Sequence, residues 1–529
     1  MKRTHILTVL LPALVLTGCT GSQNPPAQTE PAVTETITES QTAAEERTLP
    51  LLSLRTQADG TDALAFVTKP VTKHVAESIS SWTRGYEMPP EPWYEPCTVT
   101  RTEPDGSISV NAPADVKVRG NWTTSYAKKP LRLKFAEKQG FPGLHGGTAF
   151  KNWLLLAEYK DGSMLRNKTA LSIARELMEP DGLYAADSQL VEVEVNGAYW
   201  GIYLLTEQQQ VQKDRIQITA PEETYTGTDI GYLMEFDGYY MNEEPLQSFF
   251  VDYADNAPLV PYDGTENSTR TICPLNTGGD DETRDVGMSI KSDIRSQAQH
   301  DFIAAYVNNV YRILYAAAYE DKALVLDTES MTLTENEDLT PQEAVEAVVD
   351  VQSLADIYIL SELTCDADIY WSSFFMDVDF GKAGDGRLRF EAPWDFDSAM
   401  GNKDRCVDAV GFYASNIVPD VNDTYETINP WLAVLAHEDW FQAAVRRKWT
   451  KAYDDGVFGR AIAQIQSDAE THEKAFARNY ERWDNLRHSE AKNELSRKAA
   501  ACRTEEEAAD YLAEWLEKRV TFLNEQWHN

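Results

Sequence analysis

A predicted hairpin with carboxylates on both sides constrains the fold of this chain more than any other segment. Residues 372–378 are rich in aromatic and β-branched side chains, residues 388–390 alternate apolar and basic, and the glycine-containing segment 381–386 between them is typical of a turn. Because a hairpin returns to the end where it starts, we expect Asp368 before the first strand and Asp395 after the second strand to meet. Carboxylates paired in this way suit the binding of a divalent cation and the orientation of a hydroxyl nucleophile.

Protein kinases use the same order of elements: a catalytic Asp, a short hairpin, and a metal-binding Asp next to a Phe. In this chain the second carboxylate lies within Trp394-Asp395-Phe396-Asp397. An isolated Asp-Phe-Asp is more often a pair of surface carboxylates beside a turn. The order of the surrounding elements therefore favours the functional interpretation.

Residues 1–19 resemble a bacterial lipoprotein signal. A basic start, Met1-Lys2-Arg3, precedes an apolar segment that is too short to span a bilayer comfortably. The segment ends in Leu16-Thr17-Gly18-Cys19, which resembles a lipobox in which Cys19 receives a diacylglyceryl group. An ordinary cleaved signal that discards Cys19 is the alternative. The sequence predicts an exported protein that is lipid-anchored at the extracellular face of the bacterial cell membrane.

Residues 20–49 include a tract rich in Thr, Glu and Pro and are predicted to be a disordered tether, because they have few large apolar side chains to bury. The remainder, about 480 residues, is longer than one hydrophobic core usually supports, so two lobes are expected. The formal net charge of −37 argues against a nucleic-acid partner and against membrane contact other than through the lipid anchor. The same charge is compatible with a basic protein partner.

The predicted elements form two blocks. Residues 50–235 are predicted to be mainly strands with one helix, and Asn196-Gly197 is a strong signal for a hairpin turn. Residues 236–529 are predicted to be mainly helical and to contain the catalytic hairpin, residues 366–397. The expected fold is α+β, in the bilobal arrangement of an atypical protein kinase with a β-rich N-lobe and a helical C-lobe.

Short motifs follow one another along the chain in a recognisable order. They are Arg119-Gly120-Asn121, Lys128 to Lys134, Asn152 to Asp161, Leu165-Arg166-Asn167, Tyr199 to Glu207, Asp366 to Asp368, Ser373-Phe374-Phe375, Trp394 to Asp397, and Trp515-Leu516 with Arg519. In this order they resemble the CotH kinase family, named for spore coat protein H, from about residue 100 to the C-terminus. Members are secreted or coat-associated atypical protein kinases that transfer a phosphoryl group from ATP to Ser or Thr of proteins. The resemblance implies this activity, with ATP and Mg²⁺ or Mn²⁺ as cofactors.

The resemblance also implies roles for individual residues. Asp368 stands in the position of the catalytic Asp that accepts the hydroxyl proton, and Asp395 stands in the position of the metal ligand. Asp397 is either a second metal ligand or a residue that stabilises the loop. Glu207 is expected at the hinge that contacts adenine, mainly through its backbone. The candidate phosphate contacts are Arg119, Lys128 and Lys134, for which a solvated strand face is an equal alternative.

One position departs from the family pattern. Protein kinases, and commonly this family, carry a metal-binding Asn five residues after the catalytic Asp, where this chain has Ser373. A hydroxyl is a poorer ligand for a hard cation than an amide oxygen. Ser373 is therefore kept as a candidate metal ligand, with Asp397 or Asp377 as alternatives for a second metal. If Ser373 lies outside the metal site, Asp366 replaces Asp368 as the expected catalytic residue.

Three classes of function stay open at this point. The first is an active extracellular kinase whose protein substrates are basic and rich in Ser. The second is a pseudokinase that binds a nucleotide or a protein partner without turnover, which the Ser373 substitution favours. The third is a cell-surface adhesion or envelope scaffold protein that keeps only the fold.

Overall fold

Seven strands near the N-terminus close into a barrel in the computed structural model, which describes residues 47–58, 60–265, 269–275, 285–405, 407–419, 426–488 and 490–529. Neighbouring strands follow the order β1-β2-β3-β4-β5-β7-β6, and the parallel pairing of β1 with β6 closes the ring. The other pairings are antiparallel. The barrel strands are β1 (Leu51–Thr56), β2 (Glu95–Thr102), β3 (Ile108–Val118), β4 (Leu131–Gln139), β5 (Phe150–Leu156), β6 (Ser188–Val195) and β7 (Ala198–Glu207).

Alternation of side chains explains the two faces of the barrel. In β4, Leu131 and Leu133 are fully buried in the barrel core, which leaves the other face to basic side chains. In β7 nearly every residue is apolar, because both faces are covered. Tyr203 belongs to the barrel core, whereas Ile202 and Leu204 belong to a second hydrophobic core that continues into the helices.

A second sheet has the strand order β14-β13-β8-β10-β9. Its central strands β8 and β13 pair antiparallel, and β13 forms with β14 the hairpin expected between residues 372 and 390. The strands of this sheet are β8 (Gly231–Asp237), β9 (Ser248–Phe249), β10 (Gly287–Ile290), β13 (Phe374–Asp379) and β14 (Arg389–Phe390). Two small ladders join β11 (Leu324–Asp327) to β12 (Thr332–Glu335) and β15 (Val418–Pro419) to β16 (Glu426–Thr427).

The helices surround a central one, α7, in which every residue from Ser353 to Thr364 is buried. Most of its residues are apolar, and its two buried carboxylates, Asp356 and Glu362, are paired with Lys448 and Arg519. No helix among the described residues is both long and apolar enough to cross a membrane. The helices are α1 (Ala65–Thr68), α2 (Lys73–Trp82), α3 (Arg166–Met178), α4 (Tyr253–Asn256), α5 (Gln297–Glu320), α6 (Pro341–Glu346), α7 (Val351–Thr364), α8 (Pro430–Ala433), α9 (Asp439–Asp454), α10 (Val457–Thr471), α11 (Glu473–Trp483), α12 (Asn485–His488) and α13 (Glu505–Trp527).

The described residues have the mixed helix and strand content of an α+β protein, as predicted. The structure differs from the prediction in the first block, where α1 and α2 accompany the expected α3 and where the strands close into a barrel. The predicted block boundary at residue 235 falls inside β8, and the division into lobes stays a prediction. The predicted signal peptide, Cys19 and most of the tether lie outside the described residues.

A buried ion pair connects α13 to α7. The Arg519 guanidinium lies 2.9 Å from Glu362 Oε2, and both side chains are fully buried. Arg519 also donates to the Glu362 carbonyl oxygen (2.9 Å), and the Glu362 carboxylate accepts from the amides of Tyr413 (2.7 Å) and Ala414 (2.9 Å). Because both charges are satisfied inside the fold, removal of either one leaves an uncompensated charge behind.

Replacement of Arg519 by Ala should therefore lower the free energy of unfolding by about 3–5 kcal/mol. The exposed neighbour Lys518 is a matched control, whose replacement by Ala should change it by less than about 0.5 kcal/mol. Urea unfolding of the two variants measures the difference. Equal stability of the two variants would contradict the structural role of this ion pair.

Candidate active site

The hairpin brings three carboxylates together. Asp368 begins a short 3₁₀ turn, Asp368–Tyr370, after α7, and Asp395 and Asp397 lie in the turn that follows β14. One carboxylate oxygen from each of the three lies within 4.8 Å of the others. Asp395 has a φ of +69°, a conformation that Asp tolerates better than most residues, and it directs the turn back toward Asp368. We refer to Asp368, Asp395 and Asp397 as the acidic cluster.

A buried lysine from the barrel contacts the acidic cluster. The Lys160 ammonium lies 2.8 Å from Asp397 Oδ1 and donates to Ser398 Oγ at 2.7 Å. Burial alone lowers the pKa of Lys160, but Asp397 and then Asp368 outweigh it and hold the pKa well above its usual value. Because Lys160 follows β5, this contact joins the barrel to the turn after β14. Lys160 thus places a fixed positive charge beside the acidic cluster, and a second lysine, Lys403, lies 3.9 Å from Asp368 Oδ1.

The acidic cluster carries more negative charge than Lys160 can neutralise. Burial, followed by repulsion from Asp397 and Asp368, raises the pKa of Asp395 to about 7. Burial also raises the pKa of Asp397. Asp366 lies beside the cluster, and burial and Asp368 raise its pKa well above the usual range. Its Oδ1 accepts from the Asp368 amide (3.1 Å), whereas its buried Oδ2 has no hydrogen-bond partner among the described residues.

These features fit a divalent cation. Oxygen ligands that converge, an unsatisfied buried oxygen beside them, and carboxyls that repel one another are what a hard cation relieves. The acidic cluster supplies three carboxylates for this purpose, and Asp395 and Asp397 come from one rigid turn.

Helix α3 fixes that turn. The Asn167 side-chain oxygen accepts from the Phe396 amide at 2.7 Å, and its amide nitrogen donates to both oxygens of Glu158 at 3.1 Å. Arg166 forms a buried ion pair with Asp161 and donates to the Ala399 carbonyl oxygen at 3.2 Å. These contacts hold the backbone of the turn that carries Asp395 and Asp397 at Phe396 and at Ala399.

Asp161 stabilises the start of α3. Its carboxylate accepts from the amides of Leu165 (3.1 Å) and Arg166 (2.9 Å) at the start of α3. Unpaired amides at a helix N-terminus are commonly satisfied in this way.

The three candidate phosphate contacts lie in different surroundings. Arg119 is near the acidic cluster: its guanidinium lies 6.0 Å from the centre of the Trp394 ring, and Asp395 raises its pKa against the larger lowering effect of burial. Lys134 is exposed, with its ammonium 5.9 Å from the centre of the Tyr94 ring. Their contacts with a nucleotide, like those of Lys128, stay predictions.

Lys128 is fully buried between the barrel and α11. Its ammonium donates to the Ile202 carbonyl oxygen and to Asn479 Oδ1, the latter at 3.0 Å. Burial lowers the pKa of Lys128 to about 7, although Glu158 opposes the shift. The close approach of α11 needs Gly201 in β7, since a Cβ there would lie 2.6 Å from Asn479 Oδ1. These contacts give Lys128 a structural role in this interface.

Glu207 ends β7, as the hinge prediction requires, but its side chain is engaged within the barrel. The Glu207 carboxylate accepts from the Asp187 amide at 2.9 Å and lies 3.2 Å from His145 Nδ1. Arg215 Nε lies 3.5 Å from the other carboxylate oxygen, Glu207 Oε1. The side chain is fully buried, which leaves the backbone as the part of Glu207 that is predicted to contact adenine.

Ser373 is buried beside Glu235, a residue to which the sequence gave no role. The Ser373 amide donates to Glu235 Oε1 at 2.8 Å, and Ser373 has a φ of +63°. The charge of Glu235 also raises the pKa of Arg119, against the larger lowering effect of burial. Glu235 Oε2 lies 3.1 Å from the Lys291 ammonium. The alternative ligand Asp377 is buried against Glu391, which together with burial raises its pKa well above the usual range. Asp377 thus has a carboxyl partner of its own.

A family model described as CotH kinase protein matches residues 116–523, which include the acidic cluster, Lys160 and Arg119. The chain belongs to the CotH kinase family. A search of curated proteins found no match. Membership of the CotH kinase family indicates a protein-kinase-like function, and kinase-like families generally use ATP and a divalent metal.

Sequence reasoning placed Lys160 inside a CotH-like motif but gave it no role. The available signal was its position, since Lys160 lies next to Asp161 in the loop after a buried apolar strand, and such loops often carry functional residues. No comparable local signal exists for Glu235, because its importance depends on the pairing of β8 with β13.

Replacement of Asp395 by Asn should weaken Mn²⁺ binding at least about tenfold, because one of the converging oxygens loses its charge. Without metal the same variant should be more stable than the wild type, by on the order of 1 kcal/mol, since a buried repelling carboxylate is removed. Calorimetric Mn²⁺ titration and thermal unfolding measure the two effects.

The exposed Asp404, replaced by Asn, is the control for nonspecific loss of charge. It should leave both Mn²⁺ affinity and stability unchanged. If Asp395→Asn binds Mn²⁺ as tightly as the control does, the acidic cluster is not the metal site.

Proposed function

We propose that this protein is a kinase that transfers the γ-phosphoryl group of ATP to Ser or Thr hydroxyls of protein substrates outside the cell. The observation that carries the proposal is the acidic cluster, in which three carboxylate oxygens lie within 4.8 Å of one another beside Lys160. This arrangement supports phosphoryl transfer, whose catalysis consists mainly of positioning and charge neutralisation.

Asp368 is proposed to act on the acceptor hydroxyl. About a quarter of its side chain is exposed (26%), so a substrate can reach it. Its carboxylate accepts the hydroxyl proton while the hydroxyl oxygen forms a bond to the γ-phosphorus. The bond between that phosphorus and the bridging oxygen breaks, and ADP leaves with the electron pair.

Asp395 and Asp397 are proposed to hold a divalent cation. When bound, the cation supplies charge neutralisation for the phosphate oxygens. Lys160 fixes Asp397 through the 2.8 Å contact, and Arg119 approaches Asp395 from the barrel side. Lys160 and Arg119 are therefore expected to face the phosphate oxygens of ATP. Both residues come from the β-rich part of the chain.

The proposed arrangement is bilobal. The barrel contributes Arg119, at the end of β3, and Lys160, after β5, whereas Asp368 and Asp395 come from the second sheet and its helices. A nucleotide between these parts would have cations on one side and acids with bound metal on the other. This division of charge is the one that protein kinases use.

The proposed location rests on Cys19, and the proposed substrate class rests on the net charge of the chain. Cys19 is proposed to carry the lipid anchor that holds the kinase at the extracellular membrane face. The net charge of −37 supports basic, Ser-rich proteins as substrates.

Substitution of the two key carboxylates should separate binding from transfer. Asp368→Asn should keep metal-dependent ATP binding within about threefold and reduce transfer by about 10²–10⁴, because only the proton acceptor is lost. Asp395→Asn should lose both. ATP binding by calorimetry and transfer of labelled phosphate to a basic Ser-rich protein measure the two properties.

The exposed Asp404→Asn variant again serves as the control and should resemble the wild type. Equal loss of ATP affinity in Asp368→Asn and Asp395→Asn would overturn this assignment of roles. ATP binding without any transfer by the wild type would instead indicate a pseudokinase.

Replacement of Cys19 by Ser should move the protein from the membrane fraction to the soluble fraction, because no acyl chain can be attached. Melting temperature and ATP binding should not change. Fractionation of cells that express each form tests this expectation, and equal retention of both forms in the membrane would contradict lipid anchoring.

A further inference from the structure

A second concave surface lies at the far end of the catalytic hairpin. It has a volume of about 410 Å³ and is formed by β11, α6, one turn of α5 and the turn that follows β13. Its lining is mostly apolar and includes Tyr306, Val325, Leu339, Ala347, Val348 and Phe380. We call this surface the distal groove.

The distal groove is separate from the acidic cluster. None of the residues that line it is among Asp368, Asp395 and Asp397. Strand β13 runs from one site to the other, with Ser373 before it and Phe380 after it. Seven residues of extended chain span roughly 23 Å, which sets the approximate distance between the two sites.

The floor of the distal groove is fixed in place. The Tyr306 hydroxyl donates to the Gly386 carbonyl oxygen (2.5 Å) and lies 3.3 Å from the Val348 carbonyl oxygen. The Phe380 ring lies 4.8 Å from the Tyr306 ring, edge to face. A surface held in this way needs no rearrangement before it binds, which lowers the cost of association.

Apolar side chains remain exposed at the rim of the groove. Val325 is 37% exposed and Leu339 is 36% exposed, so each offers apolar surface that nothing in the described chain covers fully. Exposed apolar residues that adjoin a formed groove are typical of sites that receive a partner side chain.

One segment that contributes to the lining is rich in acidic residues. The segment 327–350, which supplies much of the lining, contains no Lys, Arg or His. Its eight carboxylates are Asp327, Glu329, Glu335, Glu337, Asp338, Glu343, Glu346 and Asp350.

Nearby basic residues neutralise only part of this charge. Arg387 lies 3.6 Å and Arg389 lies 3.9 Å from Asp350, and both also pair with Asp385 (2.8 and 2.7 Å). Lys322 pairs with Glu335 (3.3 Å). Within the described residues, Asp327, Glu329 and Asp338 form no salt bridge. Asp327 and Glu329 flank the lining residue Thr328, and Asp338 precedes the lining residue Leu339, so carboxylates without a salt bridge adjoin the apolar groove.

From this complementarity we infer that the distal groove is a docking site for an extended segment of the protein substrate that combines Lys or Arg with aliphatic side chains. Aliphatic side chains of the segment occupy the groove, and its cations face the acidic rim. The inference rests on the proposed function in one respect, that the docked protein is the one phosphorylated.

The distance between the two sites adds a requirement on the substrate. A docked segment can present a Ser or Thr to Asp368 only if enough chain connects them, and roughly 23 Å needs at least about seven extended residues. Acceptors closer than that to the docking segment gain nothing from it.

The binding test uses the full chain and a labelled synthetic peptide of about twelve residues with alternating Leu and Lys. A peptide with Ser in place of each Leu, and one with Glu in place of each Lys, are the comparison probes. Fluorescence anisotropy should give an affinity for the first peptide at least about tenfold higher than for either comparison peptide. Equal binding of the Leu and Ser peptides would overturn the proposal that the groove binds aliphatic side chains, since charge alone would then account for association.

Two variants of the rim locate the peptide. Glu329→Lys with Asp338→Lys should weaken peptide binding at least about tenfold, and Val325→Ser with Leu339→Ser should do the same. The controls are Glu514→Lys with Glu525→Lys, two exposed positions of α13 with the same change of charge, and Ile108→Ser, an exposed apolar residue of β3. Equal loss of binding in the controls, or unchanged binding in the rim variants, would overturn the proposal.

A transfer assay tests the role in catalysis separately. A peptide that joins the docking segment to a Ser by about ten residues should be phosphorylated with a kcat/KM at least about tenfold higher than a peptide with a two-residue connection, and the rim variants should lose this advantage. A short acceptor without the docking segment should react equally with all variants. If no acceptor is phosphorylated but the peptide still binds the groove, the kinase proposal fails and the binding surface stands.

Discussion

The structure depends on how one short turn keeps several like charges together inside the protein. Asp395 and Asp397 lie within 4.8 Å of Asp368, and burial with mutual repulsion raises the pKa of Asp395 to about 7. Such an arrangement is unfavourable unless contacts with the surrounding groups hold it in place. Lys160 supplies one compensating charge, and α3 supplies hydrogen bonds to the backbone of the turn. The remaining imbalance is what a bound cation would remove, so the cost in stability and the capacity for catalysis have the same origin.

The two hydrophobic cores explain how distant parts of the chain meet at this turn. Strands β5 and β7 place one face in the barrel core and the other in the core shared with the helices, so the barrel cannot shift without disturbing both. Lys160 lies in the loop that follows β5 (Phe150–Leu156), and its ion pair with Asp397 fixes its position relative to the acidic cluster. On the opposite side, α13 is held to α7 by the buried pair of Arg519 and Glu362, and α7 leads directly into the turn that begins with Asp368. Rigid elements thus approach the site from both directions.

The parts of this arrangement that local sequence patterns specify could be predicted. The hairpin, the meeting of Asp368 with Asp395, and the helix at residues 166–178 follow from alternation, turn residues and helical spacing over short segments. Closure of the barrel could not, because it needs the parallel pairing of Leu51–Leu54 with Glu192–Val195, about 140 residues later, and loop closure over such a distance leaves no local signal. Lys128 shows the same limit: alternation suggests a solvated side chain, but α11 comes from far along the chain and buries it. Glu235 becomes important only when β8 lies beside β13.

The most direct test of the central claim is the metal dependence of ATP binding and transfer by the wild-type protein. Calorimetry with ATP alone, and with ATP and Mn²⁺, would be combined with mass spectrometry of a basic Ser-rich protein incubated under both conditions. The proposed function predicts ATP binding that needs the metal, and phosphate on Ser or Thr of the acceptor only when the metal is present. ATP binding of equal strength with and without Mn²⁺ would contradict the claim that the acidic cluster holds the cation for phosphoryl transfer.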